Sequence, residues 1–240
     1  MFPHLPSTQD VVKDKAAQGA LEGLVIEALV QTQGRGRHGR VWVSESGNAF
    51  FSFLLRPVCR AEAVGPMALL AGLAVARAVR ALVRNPEDVI LKWPNDVLLA
   101  GKKCAGILIE AELQGPDIVW LIVGVGLNVC LAPLDNTVAV QDFSAVPLAR
   151  AACIGHILEN FSELYTAWHR NGFDVIRKEW LALSLPLGAE LSVKMGQHIM
   201  KGTFQGLDPA GNLLLCQEEG GIKTITAGEV FLSGAEGQGE

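Results

Sequence analysis

The chain has one tyrosine in 240 residues, aromatics make up only 6%, and only 19% of its residues are charged. A single-stranded nucleic-acid site needs stacking rings interleaved with a basic stripe, and this composition offers neither. The balance is acidic, with a formal net charge of −5. A field of that sign disfavours sequence-blind attachment to nucleic acid or to anionic membrane. Cysteine is also sparse: Cys59, Cys104, Cys130, Cys153 and Cys216 are odd in number and widely spread, with no CxxC and no histidine at ligand spacing. They read as reduced thiols of a cytoplasmic protein, and no protein metal ligands are expected. The start, "MFPHLPSTQDVVKDK", lacks a cationic segment leading into an apolar one, so secretion is not expected. Arginines interrupt "GPMALLAGLAVARAVRALV", and Gly124, Gly126 and Asn128 interrupt "DIVWLIVGVGLNVCLAPL". Neither run is as clean as a membrane span of about 20 residues requires.

Half of the residues are apolar, enough for a substantial core. Ser7 and Asp10 have the spacing of a capping box, predicting a helix that Gly19 ends. A strand is expected over 24–30, followed by β segments at "VWV" and "AFFSFLLRP" joined by the turn "SESGN". Met67, Leu70, Ala71, Ala74, Val75, Ala78, Val79 and Leu82 recur at three and four and predict a helix ended by Asn85-Pro86. Strands follow at "VILKW", "VLLA", "AGILIEAEL" and "IVWLIVGVG". Ile157 to Trp168 define an amphipathic helix capped by Asn171-Gly172, and Phe173, Ile176 and Trp180 suggest another. From about Pro186 the texture changes to short, glycine-broken β segments that predict a small antiparallel barrel. The expected architecture is α+β, a mixed sheet packed with helices over residues 1–185, then a β domain over 186–240.

The stretch "QTQGRGRHGR" places Arg35, Arg37, His38 and Arg40 on a backbone loosened by Gly34, Gly36 and Gly39, and the sequence between Glu27 and Glu45 contains no carboxylate. Forked guanidinium donors suit phosphate and carboxylate oxygens, so the loop reads as a mobile cationic lid for a small anion. A solvated surface turn and an RGG-like RNA segment are the plainer alternatives. In "LKWPNDVLLAGKKCAGILIE", Asn95 and Asp96 stand at a strand end and Lys103 starts a buried strand, where its ammonium can serve as a fixed charge; ordinary hairpin chemistry would give the same turns. "VGVGLNV" has Gly-x-Gly without the third glycine or a surrounding βαβ unit, so it is not a dinucleotide fingerprint. Asn128 is the candidate there.

Taken in order, "ST…Q…GRGRHGRVW…KWPND…K…AGIL…GVGLNV" resembles the biotin protein ligases, whose catalytic domain is like class II aminoacyl-tRNA synthetases and is followed by an SH3-like barrel. The resemblance implies that biotin and ATP, with Mg²⁺ on the phosphates, give biotinyl-5′-AMP, and that biotin then passes to a lysine of a biotin carboxyl carrier protein. By matching positions it implies that Ser7, Thr8, Gln9, Gln31, Arg35, Gly36, Arg37, Lys103 and Gly106 form the biotin site. Arg37, Arg40, Trp42, Asn95, Lys103 and Asn128 would form the ATP site, with Trp42 near the adenine. Arg37 and Lys103 would be catalytic, gripping carboxylate and α-phosphate. The chain departs from the family pattern at Gln9 (usually Asn), Gln33 (usually Ala) and Glu45 (usually Pro). Six residues before Ser7 leave no room for the helix-turn-helix domain of some relatives, so a repressor role is not expected. A lipoate ligase would share the fold and the adenylation but lack the "GRGRHGR" and "KWPND" pair; a non-catalytic biotin sensor would have little use for Lys103 or the arginines. A homodimer formed through a sheet edge stays open.

Overall fold

The computed structural model describes residues 1–217 and 220–232. Seven strands form the main sheet: β1 (Phe2–Leu5), β2 (Val25–Gln31), β3 (Ala49–Leu55), β4 (Val89–Lys92), β5 (Asp96–Leu99), β6 (Lys102–Gln114) and β7 (Asp117–Leu127). Their spatial order is β1-β2-β3-β7-β6-β5-β4. Only β1 with β2 is parallel; the other pairs are antiparallel, which makes the sheet mixed.

The strand β3, AFFSFLL, is buried along its whole length, because helices cover both faces of the sheet there. On one side lies α1 (Thr8–Ala17), which packs Val12 and Ala16 against Ile26, Leu54, Trp120 and Ile122. On the other side, α2 (Val64–Leu82), α3 (Arg150–Asn171) and α4 (Phe173–Ala182) share a core with Phe51, Phe53, Ile107, Val123 and Val125. The segment Ala61–Leu82 is long and apolar enough to cross a membrane, yet most of it is buried here against the sheet and α3. Gly172 ends α3 with φ 76° and donates its N–H to Trp168 O, as the sequence predicts.

A second, antiparallel sheet consists of β8 (Glu190–Met195), β9 (His198–Leu207), β10 (Leu213–Cys216), β11 (Ile222–Ile225) and β12 (Glu229–Leu232), in the order β11-β10-β9-β8-β12. The expected α+β class with a small SH3-like β unit is therefore what the chain adopts; of the span 186–240, residues 218–219 and 233–240 lie outside the described residues.

Two local expectations are corrected, and one strand was not foreseen. The segment "VWV" is not a strand; only isolated bridges, Arg35 to Val41 and Gln31 to Ser44, form there. Ser7 is the N-cap of α1 in extended conformation but makes no side-chain capping bond, and Asp10 is engaged elsewhere. The strand β1 had no signal of its own, because four mostly exposed residues are too few for periodicity and its parallel pairing with β2 is a tertiary contact.

The two sheets share one apolar core. Leu91, Trp93 and Trp180 pack with Leu191, Phe204, Leu213 and Val230, and Trp93 Nε1 donates to Gly211 O at 3.1 Å. Because no apolar boundary separates the two units, urea unfolding followed by tryptophan fluorescence should show one transition. Leu213→Ala, a change wholly within the small sheet, should lower that whole transition by about 2–5 kcal/mol; two separable transitions would contradict a shared core.

Candidate functional site

The site begins as a bare strip on the α1 side of the main sheet. Phe50 and Ser52 of β3 pair with Gly126 and Gly124 of β7, which pair in turn with Gly106 and Leu108 of β6. A strand's period of two puts these residues on one face. Since α1 covers only part of that face, the glycines add no side chains of their own there, and other side chains can lie directly against the backbone. Trp42 lies over Gly106 and Gly126, and Gln9 lies over Gly124.

Above the strip, residues 34–42 fold back on themselves. Trp42 N–H donates to Gly34 O at 2.9 Å and Gly36 N–H to Arg40 O at 2.7 Å, around a one-turn helix at Arg37–Gly39. The loop has no carboxylate in its own sequence, but two of its arginines find acids in space. Arg35 grips both oxygens of Asp10 at 2.9 and 2.7 Å and reaches Glu110 at 3.3 Å, and Arg40 grips both oxygens of Glu229. Those acids are 25, 75 and 189 residues away along the chain. The hydrogen bond to Asp10 holds the Arg35 guanidinium above its ordinary pKa.

Arg37 is different. Among the described residues its guanidinium meets neutral oxygens, Asn95 Oδ1 at 3.4 Å and Gly228 O at 3.2 Å. Burial lowers its pKa against the opposing pull of Asp96 and Glu229, yet a guanidinium stays charged. It is a partly desolvated cation with spare donors.

The turn between β4 and β5 carries a cis Trp93–Pro94 peptide. Just past it, Asp96 accepts Lys103 Nζ at 2.5 Å and Lys92 Nζ at 2.9 Å, and its side chain is only 12% exposed. Burial alone would raise the Asp96 carboxyl, but Lys103 and Lys92 outweigh it and hold the pKa below the ordinary value. Lys103 Nζ is thereby fixed 5.1 Å from the centroid of the Trp42 ring. Asn95 is fixed by donating Nδ2–H to Ile107 O at 2.7 Å. Lys92 also donates to Val230 O at 3.1 Å, so the small sheet touches the loop through Gly228 and Glu229 and the turn through Val230.

Polar satisfaction separates the remaining candidates. Thr8, Gln31, Ser44 and Ser52 form a closed network: Gln31 Oε1 accepts from Thr8 N–H and Oγ1–H, Gln31 Nε2 donates to Ser44 Oγ, and Thr8 Oγ1 bonds Ser52 Oγ. Ser7 is buried beside them. Among the described residues, the buried side-chain atoms without a partner are Gln9 Oε1, Trp42 Nε1, and Asn128 Oδ1 and Nδ2. Buried polar atoms are almost always paired. All four belong to residues on or over the strip, Asn128 continuing the face of Gly124 and Gly126. Here the structure asks for a ligand's donors and acceptors.

Sequence reasoning therefore brought together residues that do converge, namely Gln9, Arg37, Trp42, Asn95, Lys103, Gly106 and Asn128, with Arg35, Gly36 and Arg40 framing them. It missed Asp10, Glu110 and Glu229 as the acids that hold the arginines, since those partners lie 25 to 189 residues away, and it did not pair Asp96 with Lys92 and Lys103, although they stand four and seven positions from it. No group of three His, Cys, Asp or Glu residues among the described residues could hold a metal ion.

Residues 1–128 match the biotin/lipoate A/B protein ligase family, and residues 187–233 match the biotin protein ligase C terminal domain. A biotin–[acetyl-CoA-carboxylase] ligase of Paracoccus denitrificans is 35% identical over 230 residues, covering 92% of this chain and 95% of the relative. The bifunctional ligase/repressor BirA of Bacillus subtilis is 34% identical over 236 residues, covering 95% of this chain and 72% of the relative. Among solved structures, the biotin protein ligase of Aquifex aeolicus in complex with biotin and ATP superposes with a TM-score of 0.82 at 31% identity, over 97% of each chain.

Asp96→Asn should leave two ammonium groups facing each other without a counter-charge and destabilise the protein by roughly 2–4 kcal/mol at pH 7. Because the native carboxyl is depressed, its contribution is complete above the unfolded value of ~3.9 and is lost only as pH falls through the lower native value. Urea melts of both proteins from pH 7 downward should converge in acid, and a constant gap across that range would refute the pairing.

Proposed function

The chain belongs to the biotin/lipoate A/B protein ligase family, and from that membership and the geometry above we propose how it works as an ATP-dependent biotin protein ligase. In the first step a biotin carboxylate oxygen attacks the α-phosphorus of ATP, the bond to the pyrophosphate oxygen breaks, and biotinyl-5′-AMP forms. In the second, the neutral amine of a carrier lysine attacks the anhydride carbonyl. AMP leaves, the nitrogen gives up its proton, and an amide remains.

The first step presses two anions together. A pair of unit charges 4 Å apart repels by ~4 kcal/mol at an effective dielectric of 20, so the site must supply fixed positive charge. The observation that carries the reading is the placement of Arg37, which has no carboxylate partner among the described residues, and the Asp96-held Lys103 beside the strip where the unpaired buried polar atoms lie. In this reading Arg37 and Lys103 are catalytic and contact carboxylate and α-phosphate. Lys103 keeps donors to spare, because an ammonium has three and Asp96 takes one.

Ser7, Thr8, Gln9 and Gln31 sit at the N-terminus of α1 and the end of β2, and take the ureido end of biotin. The Gly106 backbone closes the biotin cleft where Trp42 and Lys103 lie against it, while Arg35 and Gly36 shape the wall. Trp42, Asn95 and Asn128 serve the nucleotide, with Arg40 at that end tethered by Glu229. Magnesium enters on the phosphates of ATP as part of the substrate. That fits a site whose nearest buried carboxylate, Asp96, is already committed to two lysines.

The acceptor is a biotin carboxyl carrier domain, in keeping with the name of the Paracoccus relative. Residues 1–185 act as the catalytic unit, and 186–240 as a β unit that closes one side of the site. Five free thiols and an acidic balance support a cytoplasmic enzyme that engages neither nucleic acid nor membrane.

Incubation with biotin, Mg·ATP and a carrier domain, followed by a streptavidin blot, should show transfer, and excess lipoate should not compete. Lys103→Ala and Arg37→Ala should each lower biotin-dependent pyrophosphate exchange by about 10²–10³ with an unchanged far-ultraviolet circular dichroism spectrum. Normal exchange in either variant would remove that residue from the chemistry.

A further inference from the structure

The Gly-x-Gly of β7 is no dinucleotide fingerprint, and neither glycine needs left-handed backbone, since both lie outside the positive-φ residues. Their requirement is space. A Cβ on Gly126 would come within 2.7 Å of Trp42 Cζ2 and closer still to Cε2 and Nε1. A Cβ on Gly106, directly across the ladder, would come within 2.8 Å of Trp42 Cζ3 and 3.2 Å of Lys103 Nζ. An indole is flat and has two torsions, so it cannot bend around a methyl group. One glycine pair therefore sets how deep Trp42 lies and holds it beside the catalytic ammonium.

Two residues earlier on the same face, the neighbour changes. A Cβ on Gly124 would meet Gln9 Cδ at 3.0 Å, Nε2 at 3.1 Å and Cγ at 3.3 Å. Gln9 is 4% exposed, its Nε2 donates to Leu108 O at 3.3 Å, and its Oε1 is unpaired. The amide is thus pressed onto the sheet with an acceptor left for a ligand.

We propose that Gly126 and Gly124 are positioning residues that divide the strip between the two substrates: Gly126 seats Trp42 for the nucleotide, and Gly124 seats Gln9 for biotin. This rests on the reading above, in which Trp42 lies on the nucleotide side and Gln9 on the biotin side. The indole is rigid and its collision severe, whereas the glutamine chain can yield by a few tenths of an ångström. The two substitutions should differ in size as well as in target.

The test is steady-state pyrophosphate exchange on the full chain with each substrate varied in turn. Gly126→Ala should raise KM for ATP by about tenfold or more and leave KM for biotin within about twofold. Gly124→Ala should raise KM for biotin by about three- to tenfold and spare ATP. In a Trp42→Ala background Gly126→Ala should add almost nothing, because its collision partner is gone. The tryptophan emission lost on Trp42→Phe should also shift in Gly126→Ala. Equal effects on both substrates, or full additivity with Trp42→Ala, would overturn the division. Should Gly126→Ala fail to fold, a folded Gly126→Ala/Trp42→Ala protein would support the seat and an unfolded one would overturn it. If Trp42→Ala itself leaves KM for ATP unchanged, the assignment of Trp42 to the nucleotide fails, and the proposal with it.

Discussion

A carboxylate held between two ammonium groups organises this site. Asp96 is nearly removed from solvent, accepts Lys92 and Lys103 at once, and stays ionised because both cations outweigh the cost of its burial. Its electrostatic role is indirect: it fixes the position of Lys103 while leaving donors on that nitrogen free. A lysine has a long, flexible stem, and an untethered one would pay rotamer entropy at the moment of reaction. The pairing is formed across the β4–β5 turn and the start of β6, so the sheet itself carries the ammonium.

The arginine loop follows the same logic at its two shoulders. Arg35 is tied to α1 and β6 through Asp10 and Glu110, and Arg40 is tied to β12 through Glu229. Between those anchors Arg37 faces neutral oxygens. Since the outer ion pairs are substantially exposed, each contributes little to global stability. Their effect is geometric, in fixing where the middle guanidinium stands. The small sheet also becomes part of the site, because Gly228, Glu229 and Val230 supply contacts to Arg37, Arg40 and Lys92.

The strip itself is made by omission. Helix α1 protects only part of its face, and Gly106, Gly124 and Gly126 withhold side chains where the helix stops. Polar atoms left unpaired over that strip would destabilise a protein that never bound anything there, and the described residues leave no others of that kind. The location of the binding strip can thus be read from packing and hydrogen bonding before any relative is considered.

The sequence by itself determined the elements and the participants. Apolar spacing of three and four marked α2, α3 and α4, alternation and short apolar runs marked β3 to β7, and the ordered motifs named Arg37, Asn95, Lys103 and Asn128. Periodicity is local, so these features survive without knowledge of the fold. Only the tertiary structure decided who neutralises whom. The acids that meet the arginines lie as far as 189 residues away, and a loop without carboxylates in its own sequence proved well supplied with them. Charge interactions depend on distance in space, which chain order does not encode. The seats under Trp42 and Gln9 belong to the same class, for a glycine's reason to be small lies in whatever crosses above it.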